Sequence, residues 1–164
     1  MAITSAICNS FKEEILQGGH CLNASGGSPA GNAIKCALYS SNTAALSKST
    51  TVWTVASDPT ADPTDTYEVT TTGSGYTSGG NTLTAIDPTL SGDSAVCDFS
   101  NESWTSATFT ARGLLLYNST AITGFTTNRS ICAINFGGDK TVTSGTFTIE
   151  FPSPAAGTAI IEIA

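Results

Sequence analysis

From residue 34 to the last residues of the chain, apolar and polar side chains alternate in short runs that glycine, proline, aspartate and asparagine keep interrupting. Ile34, Cys36 and Leu38, for example, alternate with Lys35, Ala37 and Tyr39. A period of two puts every second side chain on one face, so such a run is a half-buried strand, and strands at this spacing stack into two sheets or a barrel. The pattern predicts strands over 34–39, 66–71, 81–87, 94–99, 106–118, 130–136, 146–151 and 158–163. Gly73, Gly75, Gly79 and Gly80 surround Tyr76 in a turn-rich link, and Gly137-Gly138-Asp139 reads as a tight reversal between two strands. Gly113 marks a bulge or break inside the 106–118 run, and Leu114-Leu115-Leu116 fits a strand covered on both faces. At 164 residues the chain holds one core, since this length buries roughly 70% of its unfolded surface. The expected fold is mainly β: a single antiparallel two-sheet β-sandwich, jelly-roll-like, in one domain spanning 1–164.

Only the N-terminal segment departs from this period. Ile3, Ile7, Phe11 and Ile15 recur at intervals of four, which predicts a short amphipathic helix over 4–17. Thr4 or Ser5 is placed to cap its first N–H groups, and Gly18-Gly19 supplies the left-handed residue that ends many helices. Three glycines and a proline in the next stretch predict a loop over 20–33. Between 41 and 65 the apolar content thins to Leu46 and the Val52, Trp53, Val55 patch, while Asp58-Pro59 and Asp62-Pro63 impose extended or turn geometry. That region reads as a long surface excursion, with one further helical possibility at 43–48. Trp53 either anchors the excursion to the body or contacts a partner. The apolar stripe either packs on the protein's own sheet or meets a partner, so the candidate partner-binding residues are Ile3, Ile7, Phe11, Ile15 and Trp53.

Thirteen acidic residues against six basic ones give a net charge of −7, which disfavours nucleic acid, whose affinity comes largely from Lys and Arg displacing counterions. Charged residues make up 12% of the chain, while Ser and Thr number 47, so hydroxyls solubilise the surface. The apolar stretch 2–8 is not preceded by positive charge and is soon followed by Lys12, Glu13 and Glu14, so neither a signal peptide nor a membrane span is expected. The five cysteines, Cys8, Cys21, Cys36, Cys97 and Cys132, form no C-x-x-C pair and read as small buried hydrophobes of a reducing cytoplasm. Sequons at Asn23, Asn101, Asn118 and Asn128 are what a chain so rich in Ser and Thr produces by chance.

Reactive constellations are sparse. His20 is the one histidine, and a nucleophile triad built on it would need a carboxylate and a hydroxyl or thiol brought to it by the fold; a solvated loop histidine is the simpler reading. Asp87, Asp93, Asp98 and Glu102 offer a carboxylate pair on paper, yet their places beside turns are explained by local hydrogen bonding. Asp58, Asp62 and Asp65 present three carboxylates for calcium, but with two prolines and no EF-hand glycine. No phosphate-cradling loop opens a helix. No catalytic residue, metal ligand or cofactor is assigned.

The stretches 6–12 (AICNSFK), 34–39 (IKCALY), 75–80 (GYTSGG), 104–117 (WTSATFTARGLLLY) and 136–151 (FGGDKTVTSGTFTIEF), in this order and spacing, resemble a family of small structural proteins encoded by tailed bacteriophages. The resemblance covers most of the chain. It implies a non-enzymatic virion component, first of all a capsid decoration (cement) protein on the outside of the shell, made in the host bacterial cytoplasm. The implied partners are the major capsid protein and further copies of the chain, as a dimer or trimer, with no nucleic acid and no membrane. A tail, head-to-tail or fibre-associated protein would look the same in sequence. A carbohydrate-binding module is the competing class, for which exposed Trp53, Tyr67 or Tyr76 would form a stacking platform.

Overall fold

The computed structural model describes residues 3–24, 30–40, 46–53 and 67–164. In chain order the elements are β1 (Ala6–Ile7), α1 (Asn9–Leu16), β2 (Ile34–Tyr39), β3 (Asn81–Thr82), β4 (Ala85–Ser91), β5 (Ser94–Phe99), β6 (Glu102–Asn118), β7 (Arg129–Ile149) and β8 (Ile161–Ile163). They form two antiparallel sheets, one of five strands in the order β1-β7-β6-β2-β3 and one of three in the order β4-β5-β8. This is the two-sheet sandwich with a short N-terminal helix that the alternation predicts.

The period of two sorts side chains between two clusters. Cys36, Leu38, Leu114 and Leu116 join Cys97, Phe99 and Ile161 of the smaller sheet, with Phe11 of α1, in the main core. Ala37, Tyr39, Leu115 and Tyr117 point the other way, into a second cluster with Ile3 and Leu46. The centre of the large sheet is therefore covered on both faces, as the unbroken Leu114-Leu115-Leu116 run requires. Full burial of each such leucine is worth about 1.5–3 kcal/mol.

The helix is shorter than the spacing predicts. Ala6 and Ile7 pair with Ala133 and Cys132 of β7, and the Thr4 N–H donates to the Leu46 carbonyl at 2.9 Å. The 3–7 segment is thus extended, because strand pairing satisfies its backbone better than an isolated first helical turn would. Neither Thr4 nor Ser5 caps α1: the N-cap is Cys8, which makes no side-chain cap bond, and the Ser5 hydroxyl instead accepts from the Asn135 N–H. The far end behaves as expected, with Gly18 left-handed at φ +76°.

The predicted reversal at Gly137-Gly138-Asp139 is not one, and the strands expected at 130–136 and 146–151 are parts of a single β7. Between Asn135 and Lys140, β7 advances five residues while its partner β6 advances two, from Gly113 back to Ala111, leaving three surplus residues in a bulge. Gly137, at φ +74°, supplies the left-handed step. The glycine signal was real, but a bulge and a hairpin both demand it.

Other boundaries move for similar reasons. The 81–87 run splits, β3 joining the large sheet and β4 the small one. The 106–118 strand begins earlier, at Glu102, and the 158–163 strand shrinks to β8 after a turn closed by Thr158 N–H on the Ala155 carbonyl. Of the 66–71 strand, Thr66 lies outside the described residues and Glu68 makes one bridge to Tyr39. Residues 20–24 and 30–33 carry no regular element, in keeping with the predicted loop. Most of the 41–65 excursion lies outside the described residues, including part of the 43–48 stretch and all of the 58–65 carboxylates. Its described part, 46–53, is docked rather than splayed: Leu46 is buried, and Ser130 and Trp53 N–H groups donate to the Thr51 and Asn128 carbonyls.

Candidate interaction surface

The five residues singled out for a partner do not share a surface. Ile3 is buried in the second cluster, its Cδ1 close against the spot where a side chain at Gly113 would sit. Phe11 is buried in the main core, while Ile7 and Ile15 pack half-buried against it. Trp53 lies on the opposite face of the large sheet, stacked on Tyr117 with ring centroids 5.1 Å apart and planes 10° from parallel. That is the anchoring role: the indole pins segment 46–53 to the sheet.

The face that stays open is the side of the sandwich where β7 and β8 are outer strands. Beyond Cys132 and Ala133, which β1 covers, the outer edge of β7 has no strand partner among the described residues. Along that side run three connected depressions of about 410, 240 and 370 Å³. The first two share Ile134 and Ile160, and the second and third share Ile7. Phe136 and Phe147 line one end of this apolar trough, and Leu16 and Ile163 the other. Leu16 is 88% exposed and Ile163 57%, two of the three exposed large hydrophobics described. Both signs of charge stand on its rim, Lys140 with Glu150 and Lys12 with Glu162.

Several of the polar residues that the sequence singles out are engaged in the structure. His20, expected in solvent, is a buried residue, since Phe11 packs edge-on against its ring at 4.8 Å and Glu14 and Asn118 hydrogen-bond its nitrogens. Burial makes it less basic than an ordinary histidine; the Glu14 hydrogen bond opposes this and the nearby Arg129 charge adds to it. Arg129 is itself fully buried, donating to the Gly19 and Thr126 carbonyls at 2.6 and 2.7 Å, with Nε 3.6 Å from Glu14 and the guanidinium 5.3 Å over Phe125. Asp98, also buried, accepts from the Phe99 and Ile160 N–H groups; Asp87 accepts from Ala24 N–H, and Glu102 from the Asn81 amide.

Four of the five thiols are equally committed. Burial pushes Cys8 and Cys97 up to about 12, and raises Cys36 and Cys132 as well, so each stays protonated and weakly nucleophilic. Among the described residues no three His, Cys, Asp or Glu side chains gather as metal ligands. Tyr76 is buried with its hydroxyl on Glu68, so it cannot join Trp53 and Tyr67 on an open stacking platform.

Sequence reasoning missed the trough, Arg129 and the Glu68 cluster. The trough is assembled from residues as distant as Ile7 and Ile160, and a lone Arg or Glu in a turn-rich stretch carries no signal of burial. In comparisons with known proteins, no family model, curated protein or solved structure matches the chain.

Proposed function

We propose that this chain is a non-enzymatic structural protein of a virion, a capsid decoration protein that binds the outside of a shell of major capsid protein and stabilises it. The observation that carries the reading is the exposed apolar trough on an otherwise well-packed β body, ending in Leu16 and Ile163. Contiguous exposed apolar surface of this kind is a docking feature. The resemblance to small phage structural proteins supplies the virion context. Buried thiols, a histidine with both ring nitrogens engaged and carboxylates bound to backbone N–H groups support a role without turnover. A net charge of −7 keeps the protein off packaged DNA. Arrayed by symmetry as dimers or trimers, many modest contacts add up to strong reinforcement of the shell.

The test is particle binding. Copy number in purified particles on the order of hundreds supports the shell position, and about a dozen supports the tail reading. Leu16→Asp, at a solvent-facing site, is expected to leave the circular dichroism spectrum unchanged and to lower particle occupancy at least about tenfold. Absence of the chain from particles, or turnover of a substrate by the isolated protein, overturns the proposal.

A further inference from the structure

The hydrogen bonds around His20 determine which of its nitrogens carries the proton. The Cys21 backbone N–H donates to Asn32 Oδ1 at 2.8 Å, which makes that atom an acceptor and fixes the Asn32 amide. Asn118 Nδ2 lies 2.8 Å from the same oxygen and must be its donor, while the Thr120 backbone N–H donates to Asn118 Oδ1 at 3.0 Å. With the Asn118 amide fixed from both sides, the atom facing His20 Nδ1 at 3.2 Å is an N–H₂ group. Nδ1 is therefore the acceptor, the ring is neutral, and its one N–H is at Nε2, donating to Glu14 Oε2 at 2.8 Å.

We propose that His20 is an acid-sensitive latch: a proton taken up at Nδ1 sets two N–H donors against each other and releases α1 and residues 18–24 from the closed end of the β6–β7 hairpin. Asn118 cannot turn its oxygen to the imidazolium without breaking its bonds to Asn32 and Thr120 together. The His20 side chain has no solvent exposure, so water does not relieve the clash. The charged groups facing the ring are Glu14 from α1 and Arg129 from β7; Asn118 comes from β6, and Cys97 of β5 lines one small cavity with residue 20. Glu14 Oε2, 2.8 Å from Nε2, also lies 3.6 Å from Arg129 Nε, so an imidazolium would share that one carboxylate with a second cation. The elements the latch joins are distant in sequence: Arg129 holds the Gly19 carbonyl, and Gly19 lies against Phe125 of the hairpin turn.

The direction of the pH effect follows from burial. His20 is less basic in the folded chain than the ordinary value of 6.5, so on acidification the unfolded or opened chain takes the proton first. The contribution of His20 to stability is full above pH 6.5, falls as the pH drops from there to the folded midpoint, and levels off below it. This inference stands on the local geometry alone and is independent of the virion reading.

Nitrogen-15 NMR of the intact protein tests it, because the chain has one histidine and its ring signals need no mutagenesis to assign. The expected result is a neutral Nε2–H tautomer at pH 7 and a titration midpoint below 6.5. Through that titration the Cys21 and Thr120 amides should lose protection from hydrogen exchange, after correction for intrinsic rates, while the β2 and β6 amides keep theirs. His20→Gln, whose amide can donate to Glu14 and accept from Asn118, should abolish the acid response. An Nδ1–H tautomer, a midpoint at or above 6.5, protection unchanged through the titration, or an acid response kept by the Gln variant each overturns the latch. Should that variant fail to fold, the wild-type spectra and exchange rates decide by themselves.

Discussion

Glu68 shows how one buried carboxylate organises a loop of glycines. Its Oε1 accepts from the Tyr76 hydroxyl and the Gly79 N–H, both at 2.6 Å, and its Oε2 accepts from the Ser78 hydroxyl at 2.9 Å. Tyr76 in turn accepts from the Leu38 N–H, so the 73–80 turn is tied to β2. Glu68→Ala strands these donors in a buried site and should cost about 3 kcal/mol, whereas Glu68→Gln, which keeps one acceptor, should cost about 1; urea unfolding measures both. Gly80 is the second fixed point: it is left-handed at φ +68°, and an added Cβ would fall 1.7 Å from the Cys36 carbonyl oxygen. Gly80→Ala should therefore destabilise by about 3 kcal/mol or prevent folding, against about 1 for Gly157→Ala, left-handed too but with open space around it. The glycine cluster was legible as a turn in the sequence. Its attachment to Glu68 was not, because nothing local distinguishes a buried glutamate from a solvated one.

At the scale of the element, β7 carries the main lesson. Its edge beyond β1 is long, and unpaired edges invite pairing with other chains. The bulge at 136–139 interrupts that edge, and it presents an exposed charge pair in which Arg112 meets Asp139 at 3.5 Å. Deleting Gly137, Gly138 and Asp139 would remove the three surplus residues and straighten the ladder. The expected outcome is a change in monomer stability of about 1 kcal/mol or less, with faster concentration-dependent association seen by light scattering. The fourfold spacing of Ile3, Ile7, Phe11 and Ile15 predicts one helical stripe, but strand pairing claims Ile7, and Ile3 ahead of it is buried in the second cluster. Periodicity over four positions cannot separate a helix from an extended lead-in that happens to bury the same residues.

For the molecule as a whole, sheet pairing joins distant parts of the chain, so local openings that expose the core are expected to be costly. Cys8, Cys36, Cys97 and Cys132 are buried and Cys21 is half-buried, with no disulfide among them. A thiol reagent should label Cys21 readily in the native protein and the other four at the rate of global unfolding, which stopped-flow labelling across a urea series would reveal. The sequence by itself determined the class: alternation fixed which residues face a core, and glycines fixed where the backbone turns or bulges. Those are properties of neighbours along the chain, each decided within a few residues. Only the tertiary structure decided that His20 and Arg129 are buried together, that Trp53 lies on Tyr117, and that an apolar trough stays open between Phe136 and Ile163. Burial, tautomer and exposed apolar surface depend on what arrives from far along the chain, and that is settled when the two sheets close on each other.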